Sequence, residues 1–131
     1  MQIIQPPGWT RPSGYSNGVL ATGRLLFVAG QIAWGPDKHI TTDDMAGQWE
    51  QALSNVLAVV REAGGDASNI TMMLICTTSL AEYNEATGRI GEAWKRIMGR
   101  SYPAMMMFKG ELLEPRAKVE IMAWAVLPSA D

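Results

Sequence analysis

Residues 117–127, "AKVEIMAWAVL", constrain the fold more than any other stretch of this chain. In a strand, successive side chains point to opposite faces. Val119, Ile121, Ala123, Ala125 and Leu127 then point one way, and Glu120, Met122, Trp124 and Val126 the other. Both sets are apolar apart from Glu120, so the strand needs cover on both faces.

The rest of the chain supplies cover for only one. Residues 43–65 carry apolar side chains at helical spacing, with Met45, Trp49, Ala52, Leu53, Val56, Leu57 and Val60 on one stripe. Asp43 and Asp44 suit the positive end of that helix, and Gly64 and Gly65 its stop. Residues 81–98 place Tyr83, Ala86, Ile90, Trp94 and Ile97 on one face of a second helix. Gly88 and Gly91 weaken it by roughly 1 kcal/mol each, for which close packing is the expected reason. Residues 69–80 and 104–112 read as strands, and residues 15–20 and 24–32 as a hairpin turning at "ATG".

The resulting order is β-β-α-β-α-β-β. It predicts an α+β fold, with two helices packed on one face of a mixed sheet. One helical layer cannot cover both faces, so the predicted state is an oligomer whose sheets pack across subunits. At 131 residues the chain reads as a single domain, 1–131.

Several functions are disfavoured. The formal net charge is −2 and the basic residues are scattered, so nucleic acid is not an expected partner. No apolar run reaches membrane-spanning length, and "MQIIQPPGWTRP" lacks the features of a signal peptide. The expected location is cytoplasmic. Cys76 is the only cysteine and His39 the only histidine, which leaves no His/Cys metal site. Cys76 reads as a buried thiol and His39 as a loop residue, and no phosphate-binding glycine loop is present.

Four segments together resemble the Rid family (reactive intermediate deaminases, also called YjgF). They are "GYSNGV", "FVAGQIAW", "QWEQALSNVLAVVREAGG" and "YPAMMMFKGELLEPRAKVEIMAWAV", in order and at family spacing. The resemblance implies a chorismate-mutase-like fold of about six strands, assembled as a homotrimer with ligand clefts between subunits. It implies hydrolysis of small enamines and imines to ketone and ammonia, without a metal or organic cofactor. In that setting Glu120 is the expected water-directing group. Its structural alternative is an ion pair across the assembly. Tyr15, Ala29, Gly30, Thr87, Met105 and Met107 fall at substrate-binding positions.

Four of those positions depart from the family pattern. Met105 stands where active members carry a carboxylate-gripping Arg, and methionine has no donor to replace it. Ala29 stands for Ser, Thr87 for Asn and Met107 for Cys. An altered substrate range follows, and Arg24, Lys109, Arg116 and Arg11 are the candidate replacement cations. The Y-P-A-M segment is similar to a branch containing 2-aminomuconate deaminases. The alternative is a trimer that binds or protects small ligands without turnover. A chorismate mutase activity would rest on fold analogy alone.

Overall fold

The computed structural model describes residues 1–130. Six strands and two long helices follow in order: β1 (Gln2–Ile4), β2 (Gly18–Leu20), β3 (Arg24–Gln31), α1 (Met45–Glu62), β4 (Ile70–Thr77), α2 (Leu80–Met98), β5 (Ala104–Lys109) and β6 (Val119–Leu127). A single 3-10 turn at Ala67–Asn69 leads into β4. The main sheet has the order β3-β6-β4-β5, with β4 and β5 parallel and the other pairs antiparallel. The expectation of two helices on one face of mixed β-structure is met.

The expected hairpin is not formed. β2 pairs with β1 in a separate two-stranded ribbon, whereas β3 pairs with β6. Tyr15 lies in the loop before β2 rather than in a strand. Within the "ATG" link, Gly23 has φ +145, and a Cβ there would fall against the Leu127 carbonyl, where a side chain has no room.

α1 packs on β3 and β6, and α2 packs along α1. Trp49, Leu53, Val56 and Val60 meet Met73, Ile75, Ile121 and Ala123 in one buried cluster. β6 alternates as expected: Val119, Ile121, Ala123, Ala125 and Leu127 are buried and the residues between them are half-buried. Register extends that alternation to neighbouring strands, putting Leu25, Phe27, Leu74, Met106 and Phe108 on the face away from the helices. Leu25, Phe27 and Met106 are 63%, 67% and 52% exposed, so this face is an open apolar surface.

Gly88 and Gly91 are not explained by close packing. No heavy atom lies within 4 Å of where a Cβ at either would sit.

Asp44 caps α1. Its Oδ2 accepts the Gly47 N–H at 2.9 Å, and both its oxygens accept from Arg89, at 3.1 and 2.9 Å. The Gly47 amide first, then Arg89, hold this carboxyl below its ordinary value. The folded protein therefore favours the ionised form. That stability is present above the unfolded pKa of about 4 and is lost as pH falls through the lower folded value. Asp44→Ala is expected to cost about 1 kcal/mol at pH 7. Urea unfolding at pH 7 and pH 3 checks it: the gap between wild type and variant should narrow at the acid end.

Candidate functional site

Glu120 sits half-buried near one end of the bare sheet face, on the strand between β3 and β4 and beside Cys76 in the register. Among the strand residues on that face it is the one carboxylate, with Leu74, Met122 and Phe108 around it. Together with Glu111 and Leu112 these residues line a depression of about 190 Å³.

Gly30 makes room for the carboxylate. The β3–β6 pairing shifts register between Val28 and Gln31, so Ala29 and Gly30 form an irregularity facing β6. A Cβ on Gly30 would fall 2.9 Å from Glu120 Cδ and 3.1 Å from Cγ, too close to coexist with it. Burial first, then the negative charge of Glu120, push the Cys76 thiol above its usual value. Cys76 is thus held as a neutral thiol, a poor nucleophile.

Two amides of α1, Gln48 and the half-buried Asn55, fasten the segments on either side. Gln48, fully buried, donates to Thr42 O and Arg116 O, both at 2.9 Å, and accepts the Lys118 N–H at 2.7 Å. Asn55 donates to Ile32 O at 3.1 Å and Trp34 O at 2.8 Å. Gln48 therefore fixes the entry to β6 two residues before Glu120, and Asn55 fixes the chain just after Gly30. The Q-x-x-Q-A-L-x-N segment has a positioning role that its amphipathic pattern alone does not reveal.

The other expected site residues gather elsewhere. Met105 and Met107 share one face of β5 and Met106 takes the other, as their spacing predicts. The face of Met105 and Met107 is the helical one. With Tyr15 and Thr87 they line a pocket of about 500 Å³ between α2 and β5. Trp49, Tyr83 and Trp94 supply aromatic walls. Tyr102 stacks on Trp94, with ring centroids 6.0 Å apart and planes within 8°. The Ser16 amide donates to Pro103 O at 3.1 Å and ties the Tyr15 loop to the start of β5. The Trp49 Nε1–H is buried without an acceptor among the described residues.

The expected site residues thus fall into two groups on opposite faces of the sheet: Glu120, Gly30 and Ala29 on the bare side, and Met105, Met107, Thr87 and Tyr15 on the helical side.

None of the four expected cations lines the methionine pocket. Arg116 pairs with Asp43 at 2.9 Å, and Arg24 donates to Pro128 O at 3.1 Å. Arg11, with Arg100, lines an adjoining pocket that shares Tyr15 and Tyr102 with this one, and Lys109 is exposed at the end of β5. The cation that does line it is Lys95, which makes no ion pair among the described residues. Sequence reading passed over Lys95. It follows Trp94 at the edge of the apolar stripe and is reached by continuing the row Tyr83, Thr87, Gly91 by one more helical turn.

These features define an α+β protein whose sheet bears one carboxylate on a bare apolar face, with a separate aromatic pocket behind it. The family profile described as Endoribonuclease L-PSP matches residues 10–127, and the chain belongs to this family, the Rid/YjgF proteins. A human 2-iminobutanoate/2-iminopropanoate deaminase is 26% identical over 96% of this chain and 88% of its own length. A Yersinia pestis protein of the conserved Rid family, YyfB, of unknown function, superposes with TM-score 0.82 at 26% identity, covering 96% of this chain and 98% of that one. Escherichia coli TdcF, solved with bound serine, gives TM-score 0.67 at 30% identity over 97% and 99%. The family thus includes imine deaminases at modest identity to this chain.

Proposed function

We propose that the protein hydrolyses enamine or imine compounds to a ketone and ammonia, at clefts between the subunits of a homotrimer. The carrying observation is the one strand carboxylate on an apolar sheet face, with a glycine opposite that leaves it room and Glu111 of the following loop in the same depression. In the reaction, Glu120 orients a water and accepts its proton as the oxygen adds to the protonated C=N carbon. The proton then passes to nitrogen; Glu120, ionised again, takes the hydroxyl proton as the C–N bond breaks, so ammonia leaves with the new carbonyl behind. No metal or organic cofactor enters these steps. The names of the deaminase relatives, and the serine bound to TdcF, favour a ligand of amino-acid type.

Assembly follows from the same geometry. The two groups of site residues lie on opposite faces of one sheet, so they can share a ligand only if another copy brings its Glu120 to this chain's pocket. A trimer would also cover the exposed side chains of Leu25, Phe27 and Met106. Methionine at position 105 removes the family's carboxylate grip and shifts the substrate range. RNA cleavage, which the family's name suggests, fits less well: Arg89, Arg96, Arg116 and Lys118 are engaged with carboxylates, and the net charge is −2.

Ammonia release from a panel of imines generated in situ tests the activity, and sedimentation equilibrium tests the assembly. The expected results are turnover above the spontaneous rate and a trimer at micromolar concentration. A stable monomer would sink the shared-cleft reading. A trimer that binds ligands without releasing ammonia would favour the binding-protein alternative.

A further inference from the structure

We infer that the pocket between α2 and β5 is built for an aryl-bearing imino acid, its flat side chain lying among the aromatic walls and its carboxylate pairing with Lys95. For turnover this rests on the deaminase reading above; the binding preference stands on the pocket itself.

The first observation is size. About 500 Å³ falls within the usual range for small-molecule pockets, and an imino acid the size of pyruvate would leave most of it unfilled. The second is the wall. Trp49, Tyr83, Trp94 and Tyr102 present rings, and Met105 and Met107 present polarizable thioethers that adapt to a ring edge. The third is Gly91, which lines the pocket on α2. A Cβ there would meet nothing within 4 Å, so the position is open and a larger side chain at it would project into the pocket.

The fourth is charge. Lys95 is the one basic side chain lining the pocket among the described residues, and no carboxylate lines it. One cation suits one carboxylate. Within this pocket a dicarboxylate such as 2-aminomuconate would leave its second charge without a cation, since Arg11 and Arg100 line only the adjoining pocket, and such burial is costly. The pocket therefore favours an aryl monocarboxylate over both the small imino acids and the dicarboxylate. Lys95 acts here as a specificity residue, supplying from α2 the charge that Met105 does not supply from β5.

Stable analogues test this without chemistry. Isothermal titration would compare 3-phenylpropanoate, propanoate, hexadienedioate and the neutral 3-phenylpropanamide on the intact protein. The expected order puts 3-phenylpropanoate at least tenfold tighter than propanoate and hexadienedioate. Lys95→Met should weaken the aryl acid about three- to tenfold, an effect that shrinks with added salt, and leave the amide unchanged. Gly91→Leu projects into open space and should block both aryl ligands. Gly88→Ala, outside the pocket, should block neither.

Equal affinity for propanoate and the aryl acid would overturn the proposal, as would no effect of Lys95→Met. Lys95-dependent binding of hexadienedioate tighter than the aryl acid would overturn it in favour of a dicarboxylate. Ammonia release separates the two readings. Good turnover of small imines with no aryl preference sinks this inference alone. Selective aryl binding with no ammonia from any imine sinks the deaminase reading alone.

Discussion

Glu120→Gln is expected to slow imine hydrolysis by about 10²- to 10⁴-fold in kcat/KM, the usual span for losing a positioned general base. Glutamine keeps the shape of the side chain, and with it the packing against Leu74 and Met122, so folding and assembly should be unchanged. Gly30→Ala approaches the same group from the other side. The new Cβ would collide with Glu120 Cδ and Cγ, so the carboxylate must turn away or the β3 irregularity must move. Activity should fall with Glu120 still present, and the variant should also lose thermal stability. Ammonia release corrected for spontaneous hydrolysis measures both. Wild-type turnover by Glu120→Gln would remove the water-directing role altogether.

The largest effect on stability should come from Gln48→Leu. Leucine fills a similar volume but leaves the Thr42 and Arg116 carbonyls and the Lys118 N–H without their partner. Each orphaned group costs roughly 1–3 kcal/mol when buried, so a loss of about 3 kcal/mol or more is expected. Against a typical total of about 5–15 kcal/mol this is a large share. The midpoint should fall by about 10 °C, read from thermal unfolding at fixed protein concentration. Because Lys118 begins the approach to Glu120, activity at temperatures where the variant is folded should drop as well. A midpoint within about 2 °C of the wild type would show that water replaces the amide at low cost.

The long elements were legible because their periods are unambiguous. The α1 stripe from Met45 to Val60 and the alternation from Val119 to Leu127 emerge as read. Failure came where the signal was short. β1 is three residues, "QII", too few to display a period, and without it the run before "ATG" had no visible partner except β3. The chemistry was legible residue by residue but not as an arrangement. Parity along β5 puts Met105 and Met107 together, and parity along β6 isolates Glu120. Whether those faces coincide depends on the register linking Met105 to Met73 and Met73 to Ala123, which neither strand records by itself. Gly91 misled for a related reason: a helical glycine signals absent bulk, and only the surroundings say whether a neighbour or a ligand uses the space.

The position of β6 at the centre of the sheet has a consequence for how the chain is made. Its neighbours β3 and β4 both precede it in the chain and do not pair with each other; β3 has no other strand partner, and β4 has only β5 until residues 119–127 arrive. At about 5–20 residues per second, β3 spends seconds without its strand partner while the intervening residues are made. In that interval the nascent chain can form its helices, the β1–β2 ribbon and the β4–β5 pair, but not the joined four-stranded sheet. Joining β3 to the β4–β5 pair awaits β6, the strand that also delivers Glu120. A transcript truncated before Val119 would yield no partly active product, only an aggregation-prone fragment for proteases and chaperones to clear.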